Sequence, residues 1–112
     1  MKKFYALLIL TLFIGFSSNA QVVISQVYGG GGNSGAKYTN DFIELFNRGS
    51  VAQDLTGWSV QYASTSGTTW AVTNLGSFSL QPGQYCLVQG ASEAAVGSAL
   101  PTPDVIGTLN LS

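Results

Sequence analysis

The residues that could carry acid–base chemistry are five carboxylates, because the 112-residue chain contains no histidine. That lack excludes the Ser-His-Asp and Cys-His arrangements and most zinc sites. Asp41 and Glu44 are three apart on an extended segment, so we expect them to face opposite sides of a sheet. Asp54 and Asp104 stand where a turn or the start of a strand is expected, and the fifth carboxylate is Glu93. The pattern predicts no catalytic residues and no enzyme.

Two other segments could hold a ligand. The glycine-rich run 29–35 exposes backbone N–H groups, yet it lacks the Gly-Lys-Ser/Thr ending of a phosphate-binding loop and a following helix. Asn40 and Asp41 could offer oxygen ligands to calcium, which needs about 6–8 of them, and no ligand-loop pattern follows. We therefore expect a flexible loop, no metal and no cofactor.

The net charge of the chain limits the kinds of partner that it can bind. After residue 20 the chain carries two basic residues, Lys37 and Arg48, against five acidic ones, a net charge of −3. Proteins that bind duplex DNA neutralise about 6–10 phosphates, so strong independent nucleic-acid binding is not expected. The single Cys86 lies in the apolar run 85–88, where a free thiol usually behaves as a small buried hydrophobe rather than a reactive or bridging group.

The N-terminus has the pattern of a secretory signal peptide. Lys2 and Lys3 precede an apolar run at 4–16, and small residues at 18–20 form a cleavage site. The run is shorter than the ~20 residues of a membrane span, so we expect export to the periplasm or the medium and no membrane span. The predicted division is a signal peptide at 1–20 and one domain at 21–112.

Short β-prone runs separated by Gly, Ser, Asn and Pro predict an all-β sandwich or barrel. The expected strands are 22–28, 42–47, 58–63, 69–72, 77–80, 84–89 and, less regularly, 104–111. The small, Ala-rich segment 90–97 could be a short helix or a loop. Gln81-Pro82-Gly83 predicts a tight turn.

Alternation within the strands predicts the core. Ile43 and Leu45 should point inward, because the opposite face of their strand carries Glu44. Trp58, Val60 and Tyr62 should share the inward face of the third strand, with Trp58 as the central core residue.

Three ordered blocks, 42–47, 54–60 and 80–85, resemble the lamin-tail domain, an immunoglobulin-like β-sandwich. The segment 23–28 with its glycine-rich loop is most similar to exported bacterial members, which often stand beside secreted nucleases of the endonuclease/exonuclease/phosphatase type. The resemblance covers about residues 22–111. It implies a non-catalytic module for protein interaction or domain positioning.

Such domains usually continue past Leu111 with strands that complete the sandwich. We therefore expect an incomplete sandwich with an open edge, belonging to the N-terminal part of a longer exported protein or to a truncated product. The alternative function is an accessory domain of a secreted nuclease or other hydrolase. Either way the partner would be a protein or a covalently linked downstream domain, and the candidate contact surface is Tyr38, Phe42 and Phe46, unless a loop covers them.

Overall fold

The computed structural model describes residues 20–111, so the predicted signal peptide lies outside the described residues apart from Ala20. Eight strands and no helix occur in that range. The strands are β1 Val22–Tyr28, β2 Phe42–Asn47, β3 Gln53–Asp54, β4 Ser59–Tyr62, β5 Ala71–Asn74, β6 Ser79–Leu80, β7 Tyr85–Gln89 and β8 Val105–Ile106. The all-β prediction is confirmed, and segment 90–97 is a loop.

Four strands form the main sheet, in the order β1-β2-β7-β8. The first two pairings are antiparallel, and β8 runs parallel to β7. Two antiparallel ribbons, β3–β6 and β4–β5, form the remaining sheets. Among the described strands, β1 therefore lies at one edge of the main sheet with a single neighbour.

The core fills the space between the main sheet and the ribbons. Ile43 and Leu45 point into it at 6% and 5% exposure, as predicted. Along β2 these two residues alternate with half-buried Glu44, so their side chains point into the core and that of Glu44 points to the opposite face. The other core members are Leu55, Val60, Leu75, Leu80, Cys86, Val88 and Leu109.

The prediction that Trp58 is the central core residue is wrong. Its strand has the predicted facing, since Val60 is buried and Tyr62 packs against the core. Trp58 stands one residue before β4 and lines an open groove beside β1, where 43% of it is exposed.

The bounds of the short strands were predicted less well than those of the long ones. β1 and β2 have the predicted bounds, whereas β5 begins two residues later than expected. Residues 53–54 form a short strand that was not predicted, because Gln53 and Asp54 pair with Leu80 and Ser79 of β6. The last predicted strand shrinks to two residues, Val105–Ile106.

Side-chain hydrogen bonds hold the turns. Fully buried Asn47 donates from Nδ2 to the carbonyls of Val51 and Leu80, both at 2.9 Å, and its Oδ1 accepts the Gly49 N–H at 2.8 Å. The predicted turn at Gln81-Pro82-Gly83 is present, with Gly83 at φ 74°.

Candidate contact surfaces

Asp41, considered above as a calcium ligand, is a buried junction between loops. Its side chain is 3% exposed. Oδ1 accepts the N–H groups of Gly30 at 2.8 Å and Gly31 at 2.6 Å, and Oδ2 accepts the Leu111 N–H at 2.8 Å. Both oxygens therefore satisfy backbone donors, and the carboxylate joins the glycine-rich loop and the last described segment to the start of β2.

The remaining carboxylates do not converge either. Asp54 accepts the Thr56 hydroxyl at 2.6 Å and the Thr56 N–H at 2.9 Å, and these bonds hold its pKa below the usual value. Asp104 accepts the Leu87 N–H at 2.8 Å just before β8, and Glu93 accepts from the Asn110 side chain. Over residues 20–111 no group of three or more His, Cys, Asp or Glu side chains could hold a metal ion.

Cys86 lies in the core with no exposed surface. Burial, and to a smaller degree the charge of Asp104, raises the pKa of its thiol to about 11. A buried thiol that stays protonated at neutral pH is a poor nucleophile. The interpretation of Cys86 as a buried hydrophobe is confirmed.

Of the three predicted contact aromatics, Phe42 is not exposed. It is 5% exposed, stacked on Tyr28 with centroids 5.3 Å apart and packed against the edge of Tyr38 at 5.8 Å. The facing of β2 was predicted correctly, but the loop before β2 folds Tyr38 over the ring. Covering by that loop, the alternative weighed for these aromatics, is what the structure shows at Phe42.

Tyr38 and Phe46 are both half-buried and lie in separate clusters. Tyr38 belongs to the Tyr28–Phe42 cluster, while Phe46 packs on Tyr85 of β7 at 4.6 Å. The three predicted residues therefore share one face of the main sheet without forming one patch.

Glu44 lies between these clusters, at a cleft of about 130 Å³. Its neighbours across the sheet are Gln26 of β1 and Leu87 of β7. Tyr38, Phe42, Leu100 and Pro101 line the rest, and we call this space the Glu44 cleft. The pairing of a half-buried acid with apolar walls was not predicted, because Leu100 and Pro101 come from a distant loop that no local pattern places over β2.

A larger groove opens between β1 and β4. It has a volume of about 250 Å³, and no charged side chain lines it. Its lining residues are Val22, Val23, Ile24, Ile43, Leu45, Trp58, Ser59, Val60, Gln61 and Leu75. We call it the β1–β4 groove.

The inner face of β1 is uncovered beside this groove. Ile24 and Val27 pair with the buried Leu45 and Ile43 and so point to the same side of the sheet. Nevertheless, 61% of Ile24 and 58% of Val27 are exposed. Within residues 20–111 Val22 at the start of β1 packs against the core, whereas the inner face farther along β1 is left uncovered at Ile24 and Val27.

Comparison with known proteins agrees with this all-β architecture. No helix in the described range is long and apolar enough to cross a membrane. No curated protein matches the chain. The family model of the lamin tail domain matches residues 16–109, which is most of the chain. Together with the all-β sheets around one core, this match shows that the chain belongs to the lamin tail domain family, whose fold is an immunoglobulin-like β-sandwich.

Proposed function

We propose that this protein is an exported, non-catalytic β-sandwich module that binds a separate polypeptide along the open side of β1. The observation that carries the proposal is the bare inner face of β1, where Ile24 and Val27 are more than half exposed beside an apolar groove. Apolar surface of this kind marks interaction sites on soluble proteins.

The expected occupant is an extended segment with apolar residues at alternate positions. A strand laid along the free edge of β1 would pair with its backbone and direct every second side chain into the β1–β4 groove. The uncharged lining favours apolar side chains there, and Trp58 at the rim offers a large contact area.

Export to the periplasm or medium is supported by the predicted signal peptide at 1–20. The alternative function, an accessory domain of a secreted nuclease or hydrolase, keeps the same groove but supplies the occupant from a linked downstream domain of one longer polypeptide. The resemblance to exported bacterial domains supports that context.

Site-specific photo-crosslinking in the source cell distinguishes these functions. A benzophenone amino acid placed at Trp58 should cross-link to one separate polypeptide, and the cross-link should disappear in the Ile24→Lys variant. The same group at Trp70, which is 61% exposed but does not line the groove, serves as the matched position. Val72→Lys, at another exposed strand position, is the matched substitution.

A Trp58 cross-link within one longer polypeptide would support the accessory-domain alternative instead. Equal cross-linking from Trp58 and Trp70, or no cross-link at Trp58, would contradict a polypeptide contact at this groove.

A further inference from the structure

We propose that the Glu44 cleft binds an arginine side chain of a protein partner, an inference that rests on the proposed interaction function and adds a second contact on the opposite face of the main sheet. Glu44 is half-buried and is the only charged residue lining the cleft within residues 20–111. A carboxylate in partly desolvated surroundings attracts a cation more strongly than one in open water.

An irregularity in β1 holds this carboxylate in place. The register with β2 shifts between Ile24 and Gln26, which leaves Ser25 as an extra residue. The Ser25 hydroxyl donates to Glu44 Oε1 at 2.7 Å and lies 3.2 Å from the Glu44 carbonyl oxygen. Bulges commonly redirect side chains at functional positions. The bond to Oε1 fixes the rotamer and leaves Oε2 as an acceptor for an outside donor.

No described cation neutralises Glu44. Arg48 lies at the far end of β2, where its Nε donates to the Ala20 carbonyl at 2.7 Å. Lys37 Nζ lies over the Tyr38 ring, 5.7 Å from the centroid. The cleft therefore combines an uncompensated negative charge with space for a ligand, and charge complementarity selects a cationic partner group.

The walls favour arginine over lysine. The aromatic residue Tyr38 and the apolar residues Leu87 and Leu100 line the cleft. A guanidinium is planar, weakly hydrated and able to stack on such a ring, whereas an ammonium is compact and strongly hydrated. The side-chain oxygen of Gln26, across the sheet from Glu44, offers a second acceptor for the fork of guanidinium donors.

The size of the cleft suits this ligand. Its volume of about 130 Å³ leaves room for several water-sized groups. That space accommodates a guanidinium and its adjoining methylene groups, with the rest of the partner outside.

Titration of the protein with Nα-acetyl-arginine amide, followed by amide chemical shifts in NMR, tests the proposal without a protein partner. We expect saturable shifts centred on Ser25, Glu44 and Leu87. The isosteric but neutral citrulline derivative should cause none of them, and the lysine derivative should bind several-fold more weakly.

Glu44→Gln should lower the affinity for the arginine derivative about tenfold, because a charge-assisted hydrogen bond is lost while the side-chain volume is kept. Glu93→Gln removes the same charge outside the cleft and should change affinity less than about twofold by loss of long-range attraction alone. Lys37→Ala should tighten binding, since it removes a like charge near Tyr38.

Native amide spectra of the variants establish that they fold. Equal shifts with arginine and citrulline, unchanged affinity in Glu44→Gln, or shifts centred elsewhere would overturn the proposal. Equal affinity for arginine and lysine would overturn the choice of arginine. Because the probe is a free amino acid derivative, its failure is separate from failure of the cross-linking at Trp58.

Discussion

Buried polar residues of this domain form hydrogen bonds to backbone groups rather than a catalytic site. Asp41 and Asn47 each make three side-chain hydrogen bonds to backbone groups, and both are buried. Buried polar atoms must be paired, so such residues tie loops firmly to the strand between them. Glu44 differs, because its only described side-chain partner is the Ser25 hydroxyl.

Phe42→Ser should destabilise the fold by about 3–5 kcal/mol, because it removes a buried ring from the cluster with Tyr28 and Tyr38. An exposed Phe42, as the predicted contact surface required, would instead have made this substitution harmless to folding. Urea unfolding measures the difference. Trp70→Ser, at a 61% exposed ring, should cost less than about 1 kcal/mol, and equal costs for the two variants would contradict the burial of Phe42.

Cys86 should make stability fall as the pH rises from about 9 to about 11. Its pKa is raised in the fold to about 11 from an ordinary 9.0, so the folded state keeps a proton that the unfolded state loses in this window. The stability contribution is complete below pH 9. The unfolding free energies of wild type and Cys86→Ala, measured at pH 8 and pH 11, should converge by about 1–2 kcal/mol. A constant difference would show that the thiol pKa is not shifted.

At the scale of elements, the central strands of the main sheet are covered on their inner face and the edge strand β1, beyond its start, is not. β2 and β7 have the ribbons on their inner face, as buried Leu45 and Val88 show. β1 has the backbone pairing of an edge strand and an exposed apolar inner face. An exposed apolar edge is prone to aggregation unless another chain covers it.

Asp41→Asn should loosen the junction of the glycine-rich loop, β2 and the segment ending at Leu111. The amide can keep one acceptor, but its NH2 group would face either the Leu111 N–H or the loop donors. We expect a loss of about 1–3 kcal/mol and faster hydrogen exchange at Gly31 and Leu111.

Asp54→Asn is the matched control, because Asp54 is exposed and its side chain accepts hydrogen bonds only from Thr56 among the described residues. Equal exchange rates at Leu111 in the Asp41 variant and wild type would contradict the junction.

For the whole molecule, β-prone runs between turn residues predicted the long strands, and alternation along the six residues of β2 predicted the inward Ile43 and Leu45. The two-residue strands carry no period, so β3 was missed. Burial at element ends depends on what lies opposite. Alternation therefore predicted correctly which face of its strand Trp58 shares, but not that Trp58 is left exposed there. In the same way, no pattern showed that Tyr38 packs over Phe42.

The contact surfaces were predicted only in part, because they combine residues that are far apart in the sequence. The predicted set of Tyr38, Phe42 and Phe46 lies on one sheet face, but the Glu44 cleft also needs residues about 55 positions away in sequence at Leu100 and Pro101. The β1–β4 groove arises from strands that are not neighbours in any sheet. Long-range packing of this kind leaves no spacing to detect in a single sequence.

Hydrogen–deuterium exchange at β1 tests the central claim, polypeptide binding along its open side, most directly. It should be measured for the protein alone and for its complex with the partner identified by cross-linking. Alone, amides on the free edge of Val22–Tyr28 should exchange faster than those of Phe42–Asn47, which lie between two strands. In the complex, the β1 amides should become protected, with little change at Ala71–Asn74. Unchanged exchange at β1 with protection elsewhere would contradict the account.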